Sequence, residues 1–289
     1  MRPASRQRCA GSPGPHERGR TGSSRVSDAP LAADLALALE VADAADAISL
    51  PGYRARDFAV SRKADASEVT EVDRATESTI VAALRAARPA DAVWGEEHGE
   101  VGPAGSSRRW VIDPIDGTAN FVRGVPVWAT LVALVVEDAP VVGVVSAPAL
   151  GVRWWAHRGA GACRAEGPGA VPSRLHASGV ATLAEASVCV TFSAGWEREG
   201  LTPRLVEMAR GAARTRGYGD FWQHMLVAEG AVDLAIDAWG LAPYDVAALV
   251  PILEESGARW SDHVGRRSWR GPTLVTRAPS LPLPPLLGA

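Results

Sequence analysis

The sequence predicts a mixed α/β fold. Apolar residues recur at helical spacing over residues 31–48 and 80–87. Residues 127–157 instead hold three strand-like runs separated by turn signals. Beyond residue 200, helical and strand-like segments alternate. A chain of 289 residues with 47% apolar types is long enough to bury a sizeable core.

In chain order, residues 1–30 are expected to be a disordered tail. They hold Arg2, Arg6, Arg8, Arg18, Arg20 and Arg25 among many Ser, Gly and Pro, with few large apolar side chains. Pro13 and Pro15 interrupt the amphipathic helix that a transit peptide needs, and no apolar run marks a secretory signal. From there Leu31, Leu35, Ala38, Ala42 and Ala45 share a helical face, with Leu37, Val41, Ala44 and Ile48 beside them. Pro51 and Gly52 are expected to end this helix. Residues 59–62 suggest a short strand. Asp73 is the expected N-cap of a second helix, whose stripe of Ile80, Val81, Leu84 and Ala87 ends before Pro89. Residues 92–94 and 109–112 read as buried strands, one leading into Gly95-Glu96-Glu97, the other into Asp113. Strands follow at 127–136, 141–146 and 152–157, with turns at Glu137-Asp138 and Pro148. Helices at 201–213, 221–229 and 245–255, with strands at 232–236, 258–260 and 273–275, complete the domain. Residues 277–289, rich in Pro and Leu, are expected to be a second tail.

A net charge of -3 offers no bulk attraction to nucleic acid or to an anionic membrane. No segment approaches the roughly 20 apolar residues of a membrane-spanning helix. Cys9, Cys163 and Cys189 are too few and too widely spaced for a disulfide framework or a zinc site, and the latter two read as buried. A reducing cytoplasm is the expected compartment.

The most informative stretch runs from Trp110 to Phe121. It sets Asp113 and Asp116 three residues apart across Pro114, then follows them with Gly117-Thr118. Mg²⁺ takes hard oxygen donors from a few carboxylates, and two-metal phosphatases need one carboxylate that bridges both ions. Asp113 and Asp116 can supply a bridge and a terminal ligand, and the Ile115 carbonyl a further oxygen. Gly117 permits close backbone approach, and a helix begun at Thr118 would offer its first amides to a phosphate. The same stretch could be an ordinary Asp-rich turn. Glu96 and Glu97 after a strand equally suit a solvated loop, and Asp245 before a helix equally suits an N-cap.

Together, these segments resemble the inositol monophosphatase family. Gly95-Glu96-Glu97, residues 110–118 and Tyr244-Asp245-Val246-Ala247-Ala248 match in order and separation. Lys63, Thr70 and Asp73, and the turn from His157 to Ala162, match weaker segments. The resemblance covers residues 32–276 and implies an αβαβα layered sandwich. It divides residues 31–276 into a metal-binding half, 31–165, and a substrate half, 166–276. It further implies Mg²⁺-dependent hydrolysis of a small phosphorylated metabolite, with two or three ions per site, and a homodimer. Glu96, Asp113, the Ile115 carbonyl and Thr118 correspond to ligands or neighbours of the first metal. Asp113, Asp116 and Asp245 correspond to ligands of the second. Asp73 corresponds to the carboxylate that works with Thr118 on the attacking water, with Glu96 completing the catalytic set. Gly117 and Thr118 would hold the phosphate.

Within the family, residues 216–222 and 227–230 resemble the histidinol-phosphate phosphatase branch. Asp220 could receive the ammonium or imidazolium of that substrate, or cap the following helix; both roles are compatible. The family usually has a substrate-binding Glu seven residues before its last metal Asp. Here that position is Ala238, with Asp237 one step earlier, on the opposite face if the segment is a strand. This leaves an inositol-1-phosphate or broad sugar-phosphate phosphatase open as the alternative. A catalytically idle binding protein is disfavoured by the intact acids.

Overall fold

A computed structural model describes residues 28–63, 67–167 and 169–284. Two sheets and three helical layers alternate. The larger sheet has eight strands: β3 (Ala92–Gly95), β4 (Gly99–Val101), β5 (Arg108–Asp116), β6 (Ala129–Val136), β7 (Ala139–Ala147), β8 (Val152–His157), β9 (Cys163–Glu166) and β10 (Ser173–Arg174). Their spatial order is β10-β9-β8-β7-β6-β5-β3-β4. The smaller sheet joins β11 (Ser187–Val190), β12 (Arg214–Arg216), β13 (Leu234–Ile236), β14 (Arg259–Ser261) and β15 (Val275–Arg277) in the order β12-β11-β13-β15-β14. A hairpin of β1 (Val60–Arg62) and β2 (Glu68–Thr70) stands apart.

Helices α1 (Asp28–Ala55) and α2 (Glu71–Ala87) cover one face of the larger sheet. Helices α6 (Asp220–Ala228) and α8 (Leu249–Glu255) lie between the sheets, with α7 (Pro243–Ala247) against β5 and β6. The smaller sheet is closed by α4 (Ala194–Arg198) and α5 (Thr202–Gly211), which bury Trp196, Leu205 and Met208. The short helix α3 (Thr118–Arg123) follows β5. This is the expected αβαβα sandwich. Its central strands are covered on both faces and so read as nearly continuous apolar runs, β6 being Ala-Thr-Leu-Val-Ala-Leu-Val-Val.

Several boundaries differ from expectation. Residues 1–27 and 285–289 of the two expected tails lie outside the described residues. Of the rest, α1 already includes 28–30, and Ala278 and Leu281 are buried in the core of the smaller sheet. Pro51 and Gly52 do not end α1, which continues to Ala55. Gly52 serves close approach instead, since a Cβ there would fall 2.9 Å from Val72 on α2. Thr70, not Asp73, caps α2. Its hydroxyl accepts the Val72 and Asp73 amides, while Asp73 at the third helical position returns a bond to the Thr70 amide. The helix expected over 245–255 is two helices, because Pro251 cannot donate to the Ala247 carbonyl. Cys189 is buried and free. Cys163 is buried and disulfide-bonded; the cysteine spacing did not predict this bond.

Candidate active site

Adjacent strands bring the first two acidic segments together. β3 and β5 pair in parallel, with Gly95 opposite Ile112, so the Glu96–Glu97 turn leaves β3 beside Asp113. β5 does not stop at Ile112 but runs to Asp116, and its register with β6 breaks between Asp113 and Asp116. Such an irregularity re-aims side chains at a strand end. It is fastened by the Thr130 hydroxyl, which donates to the Pro114 carbonyl at 2.9 Å, and by Asp113 Oδ1, which accepts the Ile115 amide at 2.9 Å. Asp245 arrives on α7, more than a hundred residues further along the chain, with Oδ2 accepting the Ala242 amide at 2.7 Å. Asp113, Asp116 and Asp245 each present a carboxylate oxygen, all within 4.8 Å of one another.

These acids line a cleft of about 490 Å³ with Glu96, Ile115, Gly117, Thr118 and Ala119; Arg62, Ser67, Glu68 and Arg123 also border it. Gly117 has φ 83°, a left-handed turn into α3 that suits glycine. The first amides of α3 therefore face no preceding helical carbonyl. Thr118 Oγ1 lies 3.0 Å from the Ile115 carbonyl and 3.2 Å from Asp73 Oδ1. Asp73 is fully buried, and its other oxygen accepts from the Thr70 amide and hydroxyl. The Asp73–Thr118 pairing implied by the resemblance is thus present as a contact.

Crowded negative charge dominates the electrostatics. Burial, followed by the charges of Glu96, Asp116 and Asp245, raises Asp113 well above the usual carboxylate range. Burial and the charges of Asp220 and Asp245 do the same to Asp116. Asp245 is pushed up to about 7, chiefly by burial, against a lowering bond from the Ala242 amide. Acids packed this closely hold protons unless a cation neutralises them. Lys63, the only lysine of the chain, supplies one positive charge, 2.6 Å from Glu96 and 2.5 Å from Glu97. Burial lowers its pKa, but the bonds to both glutamates raise it above the ordinary lysine range overall. A single ammonium is too little for five carboxylates, and a cluster of hard oxygens with excess negative charge fits a divalent ion such as Mg²⁺.

The substrate residues divide. Asp220 opens α6 with a left-handed backbone, φ 50°. Its side chain does not cap the helix. Oδ2 accepts from Asn120 Nδ2 at 2.8 Å, and a Cβ on Gly117 would lie 3.4 Å from it. The carboxylate therefore stands against the turn that borders the acidic cluster. Burial, then the charge of Asp237, raises its pKa to about 6, while the Asn120 bond opposes the shift. Asp237 is engaged elsewhere. Its Oδ2 lies 2.9 Å from His224 Nε2, its Oδ1 accepts the Ala238 amide at 2.7 Å, and the residue does not border the cleft. Three contributors escaped the sequence reading: Asn120, His224 and Glu77, which accepts the Glu97 amide at 2.8 Å. A signal for Glu77 existed, since it lies one helical turn beyond Asp73 on the buried face of α2.

Comparison with known proteins agrees with this geometry. Residues 31–281 match the inositol monophosphatase family. A histidinol-phosphatase of Streptomyces coelicolor is 47% identical over 237 residues, 81% of this chain and 88% of the relative. One from Mycobacterium tuberculosis is 48% identical over 226 residues, covering 78% and 86%. Among solved structures, the extragenic suppressor protein suhB of Bartonella henselae superposes with a TM-score of 0.78 at 25% identity, covering 86% of this chain and 95% of that one. The chain belongs to the inositol monophosphatase family and is a metal-dependent hydrolase of phosphate monoesters.

Proposed function

We propose that the protein hydrolyses histidinol phosphate with Mg²⁺, two or three ions per site. The observation that carries the substrate reading is Asp220, held by Asn120 beside the metal cluster, where an acid can receive a cationic substrate. The histidinol-phosphatases at 47% and 48% identity support it. Glu96, Asp113, Asp116, Asp245 and the Ile115 carbonyl would hold the metal. When bound, Mg²⁺ lowers the pKa of water and neutralises charge on the phosphoryl and leaving-group oxygens.

The chain's own groups supply positioning and proton transfer. The leading amides of α3, at Gly117 and Thr118, hold phosphoryl oxygens. Thr118 directs its proton to Asp73 Oδ1 and offers a lone pair to the attacking water. Burial, opposed by bonds from Thr70, leaves the Asp73 pKa raised, nearer the range where a carboxylate works as a base at neutral pH. Asp220 orients the substrate through its ammonium or imidazolium. In this reading residues 31–165 carry most metal ligands, and residues 166–276 contribute Asp245 and the substrate contact. The working form is read as a homodimer on family resemblance and as cytoplasmic on the small number of cysteines; among the described residues, no helix is long and apolar enough to cross a membrane.

The test is Asp220→Ala, assayed on histidinol phosphate and inositol-1-phosphate. Loss of a charged contact to a buried group should lower kcat/KM for histidinol phosphate by about 10–10³-fold, matching about 1.4–4 kcal/mol. The neutral polyol ester should be little affected. Equal losses on both substrates would favour the broad sugar-phosphate reading.

A further inference from the structure

Glu77 is fully buried on α2, and the reaction outlined above leaves it without a role. A buried carboxylate is costly unless its oxygens are satisfied. Here Oε2 accepts the Glu97 amide at 2.8 Å, and Oε1 accepts the His98 amide at 2.8 Å. The His98 ring adds Nδ1 at 2.9 Å from Oε1. Both amides belong to the turn that carries Glu96, so one side chain grips two consecutive peptide units immediately beyond it.

Gly95 gives an independent reason to regard this grip as built into the site. Its backbone is strand-like and has no left-handed φ that would call for glycine. Space does call for it: a Cβ at residue 95 would fall 2.1 Å from Glu77 Oε1 and 2.4 Å from Glu77 Cδ. The glycine before the paired glutamates leaves room for the buried carboxylate beneath them.

We propose that Glu77 is a positioning residue for the metal centre, fixing the turn so that Glu96 stands beside Asp113. This rests on the reading of Glu96 as a metal ligand. Lys63 engages the side chains of Glu96 and Glu97, whereas Glu77 holds the backbone of their turn from the helix side. Without the helix-side hold, only the side-chain contacts to Lys63 would fix where Glu96 stands.

The experiment measures Mn²⁺ binding by electron paramagnetic resonance, with phosphate release followed against Mg²⁺ concentration. Four proteins are compared: the parent, Glu77→Gln, Gly95→Ala and Glu96→Gln. Glu77→Gln should weaken Mn²⁺ binding and raise the half-saturating Mg²⁺ by about 10- to 100-fold, the usual effect of losing a group that supports a metal ligand. Turnover at saturating Mg²⁺ should stay near that of the parent. Gly95→Ala, which keeps the carboxylate but denies it room, should do the same, and it decides the matter if Glu77→Gln does not fold. A merely structural role predicts a lower melting temperature with metal affinity unchanged, and that outcome overturns the proposal. If Glu96→Gln also leaves Mn²⁺ affinity unchanged, the ligand assignment itself is wrong. If Glu96→Gln weakens binding while the other two variants do not, only the role of Glu77 is lost.

Discussion

Asp113 and Asp116 announce themselves in the sequence because a proline and a glycine bracket them, and these residue types limit what the backbone can do. The pairing of Asp73 with Thr118 was legible only as a resemblance; their 3.2 Å contact depends on how α2 and α3 meet. Asp237 shows the opposite case. Its carboxylate looks available in the sequence, but the buried His224 of α6 takes it up inside the protein. Two predictions belong at this scale. Asp113→Asn should cut Mg²⁺-dependent turnover by on the order of 10²–10³-fold, the equivalent of several kcal/mol of lost charge stabilisation. Thr118→Val keeps the shape but removes the hydroxyl, so kcat should fall about 10²–10⁴-fold, as expected for a proton-transfer group, with little change in KM. Steady-state kinetics across Mg²⁺ concentrations checks both.

At the scale of elements, periodicity located the long helices and central strands well, since burial on both faces of the larger sheet writes itself as continuous apolar sequence. It failed where a local interaction overrode the pattern. Thr70 took the cap of α2 because its hydroxyl reaches two amides, and α1 passed through Pro51. Short strands such as β12, Arg-Thr-Arg, carry no apolar signature at all. Close packing of elements also serves the site. A Cβ on Gly143 of β7 would lie 2.1 Å from the Ala248 carbonyl, directly after the helix that bears Asp245. Gly143→Ala should therefore destabilise the fold by about 1–3 kcal/mol, the usual range for overpacking. Thermal unfolding measures that loss, and a concurrent rise in the half-saturating Mg²⁺ would show the displacement reaching Asp245.

Across the whole molecule, the cleft joins distant segments of the chain: Asp113 and Asp116 lie at the end of β5, while Asp245 comes from α7. The layered order was legible through resemblance, but the disulfide at Cys163 was not, because three widely spaced cysteines do not specify a pairing. Gathering acids across the fold links metal, pH and stability. Without metal, the folded-state pKa of Asp245 is raised to about 7 from 3.8, and Asp113 and Asp116 are raised well above their ordinary value of 3.8. The folded state then binds more protons than the unfolded state, so stability falls as pH rises from about 4 through 7 and beyond. Bound Mg²⁺ offsets that loss. The increase in melting temperature on adding Mg²⁺ should thus be larger at pH 8 than at pH 5, as differential scanning calorimetry can determine; an equal increase at both would contradict the linkage.

The central claim is that this acidic cleft hydrolyses a cationic phosphate ester with the help of Mg²⁺. It is tested most directly by phosphate release from histidinol phosphate and inositol-1-phosphate, with Mg²⁺ and with chelator. The account predicts release that requires Mg²⁺ and a higher kcat/KM for histidinol phosphate. Release that persists in chelator, or no release from either ester with Mg²⁺ present, would contradict it.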